Sequence, residues 1–234
     1  MSLWKAAWLD ATRRVERDLW RGVEAQHRVA TMRLVDNREE QLLLEQLLED
    51  SKPPLPPGAA GAHYLLFTPF RYVPDWPSRF RRPHEAGAWY GADDPVTVAA
   101  ELAHWRWRFF MDSDGLREGQ LVTEHTFFQA RFAGRELDIT VPPWVEHRAR
   151  WRHPSDYSSC HELAACVRSL EPPPQSIRYE SARREAGWCE VVFDVQALSL
   201  PRLHLQQTWT CKTTRELVMF SHEDEYLAFE MDKA

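Results

Sequence analysis

The chain reads as an α+β domain with mixed α/β character, and three observations predict it. Short runs rich in β-branched and aromatic residues, as at positions 126–132 and 208–211, are separated by helix-periodic segments. Helix start and stop signals fall between those runs. There is no internal repeat and no long low-complexity tract, so a bundle or a sandwich is the poorer fit. With 234 residues and 44% hydrophobic content, the chain can bury one core with an appended element and needs no disulfide support.

Residues 3–30 set Trp4, Trp8, Val15, Leu19 and Val23 at helical spacing among arginines and acids. This predicts an amphipathic helix whose aromatic stripe docks on the main domain. A second helix is predicted over 39–49, where Leu42, Leu43, Leu44, Leu47 and Leu48 supply a broad apolar side. Lys52-Pro53-Pro54-Leu55-Pro56-Pro57-Gly58 ends it, because prolines remove backbone donors and push preceding residues out of the helical region. A boundary near residue 60 follows, dividing an N-terminal helical extension (1–60) from a main domain (61–234). Within the latter, 64–67, 126–132, 191–193 and 208–211 read as strands. One helix starts at Asp94-Pro95, with Asp as cap and Pro at the first helical position. Another lies between Asp156 and Leu170, stopped by Pro172-Pro173-Pro174.

The formal charge of −6 argues against a generic nucleic-acid surface. Cys160, Cys166, Cys189 and Cys211 form no CxxC pair, and the amino terminus shows no secretory pattern, so a reduced cytoplasm is the expected setting. No apolar run approaches the roughly 20 residues of a membrane-spanning helix.

The chemistry concentrates in Thr68-Pro69-Phe70-Arg71-Tyr72, Ser78-Arg79-Phe80, Ala88-Trp89-Tyr90-Gly91-Ala92 and the following helix with Glu101. Guanidinium groups, aromatic faces and one carboxylate are the inventory for an anionic ligand with a cationic or flat aromatic end. Arg71 and Arg79 offer forked, charge-assisted hydrogen bonds suited to a pyrophosphate. Arg81 and Arg82 read as surface. Tyr72, Trp89 and Tyr90 are core residues or stacking faces for a charged ring, and Gly91 admits close backbone approach. Glu101 borders the apolar stripe of Val98, Leu102, Trp105 and Phe109 with no basic residue at i+4, so its partner must come from elsewhere. Alternation places Ile177, Tyr179 and Ser181 on one face, ending an apolar row in a hydroxyl. No GxSxG elbow surrounds Ser181, which disfavours a serine nucleophile. His161-Glu162-Leu163-Ala164-Ala165 lacks the second histidine of a zinc helix, and His153 and His204 have no partner at ligand spacing, so no metal is expected. GxxxxGK[ST] and GxGxxG are absent.

In this order, Arg71, Arg79, Tyr90 and Glu101 followed by Ser181 in Ile177-Arg178-Tyr179-Glu180-Ser181 resemble the RES domain of bacterial toxin-antitoxin systems. Gln26-His27-Arg28-Val29-Ala30-Thr31, Leu137-Asp138-Ile139-Thr140 and Asp156-Tyr157-Ser158-Ser159-Cys160 extend the likeness over about residues 20 to 222. Where many members have Gly-Gly-Arg-Trp-Asn, this chain has Pro77-Ser78-Arg79-Phe80-Arg81, so either Arg79 or Arg81 stands for the second arginine. The resemblance implies a fold similar to ADP-ribosyltransferase toxins, with 61–234 as the catalytic domain and a mixed sheet cradling NAD as substrate. It implies cleavage of the nicotinamide–ribose bond, by glycohydrolase, phosphorolysis or ADP-ribosyl transfer. Glu101, Arg71 and Ser181 would be catalytic, while Arg71, Tyr72, Arg79, Tyr90 and Ser181 would bind NAD. The implied partner is an Xre-type antitoxin with a DNA-binding domain that plugs the site. Two other classes remain. A nucleotide-binding module without turnover has no need of Glu101, and an RNA-targeting toxin would want a basic face and a histidine pair.

Overall fold

The computed structural model describes residues 4–25, 31, 34–201 and 205–231. The motif residues 26–30 and His204 lie outside them. β1 (Thr12–Glu24) is followed by α1 (Arg38–Asp50), α2 (Tyr64–Arg71), β2 (Trp89–Ala92), α3 (Pro95–Asp112) and β3 (Leu121–Asp138). Then come α4 (Arg148–Trp151), α5 (Ser158–Arg168), β4 (Ser176–Glu180), β5 (Trp188–Val192), β6 (Leu198–Ser199), β7 (Gln206–Thr213), β8 (Leu217–His222) and β9 (Glu225–Glu230). The mixed α/β class is as the sequence predicts.

Two elements differ from expectation. Residues 12–24 form a strand, not a helix, paired antiparallel with β3 from Thr12↔Leu137 to Glu24↔His125. Val15, Leu19 and Val23 recur every four residues, a spacing that puts them on one face at period 2 as well as near period 3.6. The aromatic docking expected of this segment does occur, through Trp4 and Trp8 ahead of the strand. Trp4 lies 6.1 Å from Trp144 and 6.2 Å from Trp151, and Trp8 lies 5.4 Å from Trp144. Residues 64–67, expected as a strand, open α2. Tyr-Leu-Leu-Phe carries strand preference only in context. Here His63 caps the helix by accepting from Leu65 N, and Leu66 is buried beside Leu65 and Phe70 against the sheet interior. α1 forms where its pattern says, capped by Asn37 accepting from Glu40 N. Its leucine side nevertheless stays open, with Leu42, Leu43, Leu47 and Leu48 all exposed.

The described strands form one sheet, and its pairings close a ring. β1 pairs with β2 at Trp20↔Ala92, β2 with β5, β5 with β4, β4 in parallel with the end of β3, and β3 with β1. β7, β8 and β9 extend from the other end of β3. Alternation along the ring sorts its side chains into two cores. Val15, Leu19, Trp89, Phe128, Phe132 and Val192 pack inside, with α2 against them. Ala92, Leu137, Ile177, Tyr179, Cys189 and Val191 point the other way, toward α3 and α5. Among the described residues no helix is long and apolar enough to cross a membrane.

The ring interior is not wholly apolar. Glu136 and Glu190 are fully buried there, and Arg17 reaches both, at 2.8 and 3.6 Å. Ser176 Oγ donates to Glu190 at 2.5 Å, and Arg13 bridges Glu136 to Asp138. Buried carboxylates are tolerated only with such partners. Desolvation, and next the negative Glu136, push Glu190 up to about 8 from an ordinary 4.5, more than Ser176 and Arg17 pull it back. The folded chain therefore holds a proton here that the unfolded chain releases. This contribution to stability is complete below about pH 4.5 and is lost as the pH rises through about 8. The thermal midpoint is expected to fall over that window, and Glu190→Gln, which keeps the Ser176 bond, to flatten the fall. An unchanged slope in the variant, measured by calorimetry, would refute this.

Candidate functional site

α3 begins where Asp94 caps Thr97 N at 2.8 Å with Pro95 in the first turn. One turn later the helix presents Glu101 to the ring's outer face. The partner that the sequence requires for this carboxylate is Ser181, just past β4, whose Oγ donates to Glu101 Oε1 at 2.5 Å. Ser181 is fully buried, and its hydroxyl also accepts from the N–H groups of Arg183 and Arg184 at 3.1 Å each. The loop carrying it is fastened to the same helix. Arg184 Nη1 donates to both Asp94 oxygens at 2.9 and 2.8 Å, and Arg183 reaches His104 at 2.9 Å. Arg152 Nε donates to the Ser181 carbonyl at 2.9 Å. Serine, loop and helix thus fix each other.

Around this pair lies a cleft of about 230 Å³, lined by Arg21, Ser78, Arg79, Tyr90, Glu101, Trp105, Tyr157, Tyr179 and Cys189 among others. Arg79 is buried, and its Nη1 donates to the carbonyls of Trp151 and His153 at 2.8 and 2.9 Å. Its guanidinium lies 4.7 Å from the Tyr157 ring. Burial works to lower Arg79, yet Tyr179 and Glu101 facing it lift it above its ordinary value. The guanidinium stays charged. Tyr90 Oη accepts from Phe80 N at 3.1 Å and bonds Ser78 Oγ at 2.8 Å, while burial raises its pKa and keeps the phenol protonated. Burial, then the charge of Glu101, raises Cys189 well above its usual range, so it is no thiolate nucleophile. His104, lowered to about 4 by burial and then by Arg183, is neutral at pH 7.

Of the residues singled out in the sequence, Arg79, Tyr90, Glu101 and Ser181 come together. Arg71 and Tyr72 do not line the cleft. Arg71 ends α2 and is held by Glu49 at 3.0 Å and by the Pro53 carbonyl at 2.5 Å. Tyr72 follows it, exposed, and its carbonyl lies against Gly87, where a Cβ would sit 2.9 Å from it and 1.7 Å from the Pro69 carbonyl. Arg81, expected at the surface, is buried at 5% exposure, its guanidinium spent on the carbonyls of Pro74, Trp76 and Arg82. Gly91 is required by packing: a Cβ would come within 2.4 Å of the Trp89 ring.

The sequence reading missed Arg21. Its Nη1 donates to the Tyr90 carbonyl at 2.8 Å and its Cζ lies 5.5 Å over the Trp89 ring. Burial lowers it to about 10, which still leaves it charged at pH 7. The available signal was alternation: Arg13, Arg17 and Arg21 interleave with Val15, Leu19 and Val23 on one strand face. A helix reading gathers those arginines in a solvated stripe opposite Val15, Leu19 and Val23.

The RES domain family model matches residues 55–214. The chain belongs to the RES domain family. Arg79, Tyr90, Glu101 and Ser181 all lie inside the matched span, while Arg21, which also lines the cleft, lies on a strand ahead of it. The chain is also similar to the crystal structure of the M.tuberculosis MbcT-MbcA toxin-antitoxin complex, at 15% identity and a TM-score of 0.49, covering 89% of this chain and 91% of that one. No curated protein matches.

Replacing Ser181 with Ala leaves Glu101 without its donor and two backbone N–H groups without their acceptor. Unsatisfied buried groups cost about 1–3 kcal/mol. Denaturant unfolding of Ser181→Ala should show a loss in that range, and an unchanged midpoint would remove Ser181 from its anchoring role.

Proposed function

We propose that this RES protein is the toxin of a toxin-antitoxin pair and cleaves the nicotinamide–ribose bond of NAD. The observation that carries the reading is one fixed carboxylate, Glu101 held by Ser181, in a small cleft whose other charged groups are the guanidiniums of Arg21 and Arg79. Such a site suits a substrate that is anionic at one point and becomes cationic at another. A pyrophosphate meets the guanidiniums. Breaking the glycosidic bond puts positive charge on the ribose ring, as in glycoside hydrolysis, and a preorganised carboxylate stabilises that charge where water is scarce. Tyr90, Tyr157, Tyr179 and Trp105 line the same cleft and supply faces for the nicotinamide. The leaving group departs as neutral nicotinamide and requires no strong general acid. Protonated thiols and a neutral His104 fit that requirement.

On this reading Arg21 and Arg79, rather than Arg71, hold the phosphates. A co-encoded antitoxin with a DNA-binding domain would silence the enzyme by filling the cleft. The acceptor of the ADP-ribosyl group is water, phosphate or a protein side chain.

Glu101→Gln keeps shape and hydrogen bonding but removes the charge. Nicotinamide release from NAD by the purified variant should drop about 100-fold or more in kcat at an unchanged unfolding midpoint. Near-normal turnover would make Glu101 a structural residue. A second pair of variants separates the arginines. Arg21→Lys should raise KM for NAD, since lysine loses the forked geometry, whereas Arg71→Lys should leave both constants unchanged. A raised KM at Arg71 alone would return the phosphates to that residue.

A further inference from the structure

A second cavity of about 370 Å³ adjoins the cleft, bounded by β1, α2, β3 and β7. Arg21 lines both cavities. Its position is unusual for a buried cation. Among the described residues no carboxylate pairs with it, its Nε is buried without a hydrogen-bond partner, and its bonded neighbour is a neutral carbonyl. An uncompensated guanidinium at a junction of two cavities is a site for an anion that spans them.

The two cavities differ in kind. The first holds the Glu101 carboxylate and a concentration of aromatic rings. In the second, Thr68, Thr126, Gln206 and Thr208 offer neutral donors and acceptors beside Val23 and Leu65, Tyr64 stands half-exposed, and the carboxylate in the lining, Glu24, is already paired with Arg106 at 2.8 Å. Neutral amide and hydroxyl groups with an apolar wall and an aromatic face suit a purine riboside. By itself the first cavity falls below the roughly 300–1,000 Å³ of ordinary small-molecule sites, whereas the pair together falls within it.

We propose that the second cavity is the adenosine subsite, so that one dinucleotide lies with its nicotinamide riboside by Glu101, its pyrophosphate on Arg21 and its adenosine between α2 and the start of β7. This rests on the reading of the cleft as an NAD site. It assigns recognition to α2 and to β1, a strand outside the family-matched span.

The test uses 5′-AMP, which carries the adenosine and one phosphate but nothing to fill the Glu101 side. Calorimetry should detect AMP binding to the full chain. Thr208→Trp, at an exposed position on β7, should weaken that binding by about tenfold or more and raise KM for NAD by a similar factor, as loss of uniform binding does. Gln206→Trp, also exposed, serves if the first variant fails to fold. A wild-type protein that releases nicotinamide from NAD but ignores AMP, or variants that bind AMP as wild type does, would overturn the subsite and leave the glycosidic reading standing. AMP binding that both substitutions abolish, in a protein that leaves NAD intact, would uphold an adenylate pocket and sink the NAD-cleaving function instead.

Discussion

The antiparallel pairing of β1 with β3 is the constraint on which the rest of the molecule depends. It runs the whole length of β1, and β1 also touches β2, so this one strand closes the ring that separates the two cores. Closure removes the free edge that β3 would otherwise present along this side. It also fixes what enters the ring. Arg17 reaches two buried carboxyl groups, at 2.8 and 3.6 Å, and Arg21, four residues further on along the same strand face, arrives at the cleft wall. A slip of one residue in the β1 register would turn both guanidiniums to the opposite face and take Arg17 away from Glu136 and Glu190.

Around that frame the cleft is assembled from elements distant in sequence: α3 for Glu101, the turn after β4 for Ser181, the loop before β2 for Arg79. Each is fastened by charge-assisted bonds to a neighbour, as Arg184 is to Asp94 and Arg178 to Asp93, the latter at 2.9 and 2.5 Å. Binding residues on loops usually need such support to hold geometry. Here Asp94 both caps α3 and receives Arg184, so the start of the helix and the serine loop share one carboxylate.

Much of this was legible in the sequence, for identifiable reasons. Asp94-Pro95 fixes a helix start by purely local chemistry, and Glu101 announced itself as an acid beside an apolar stripe with no local partner. The likeness in the order of Arg79, Tyr90, Glu101 and Ser181 then found residues that the fold brings together. What escaped were properties decided by tertiary contact. The four-residue spacing of Val15, Leu19 and Val23 serves a helix and a strand alike, and only pairing with β3 decides between them. Arg71 enters the expected site through its forked guanidinium and the resemblance, four residues past a segment, 64–67, that reads as a strand. It ends a helix instead, and Glu49 of α1 takes it. Arg81 reads as surface because arginines usually are, but three carbonyls of its own loop bury it.

The tryptophans near the amino terminus carry one more consequence. Trp4, Trp8, Trp144 and Trp151 lie in successive contact with ring centroids 5.4–6.2 Å apart. The Trp151 carbonyl is also one of the two that hold Arg79. Four of the chain's eleven indoles thus form one cluster, a single hydrogen bond from the Arg79 side of the cleft. The amino-terminal indoles and the cleft guanidinium therefore share one anchor, Trp151.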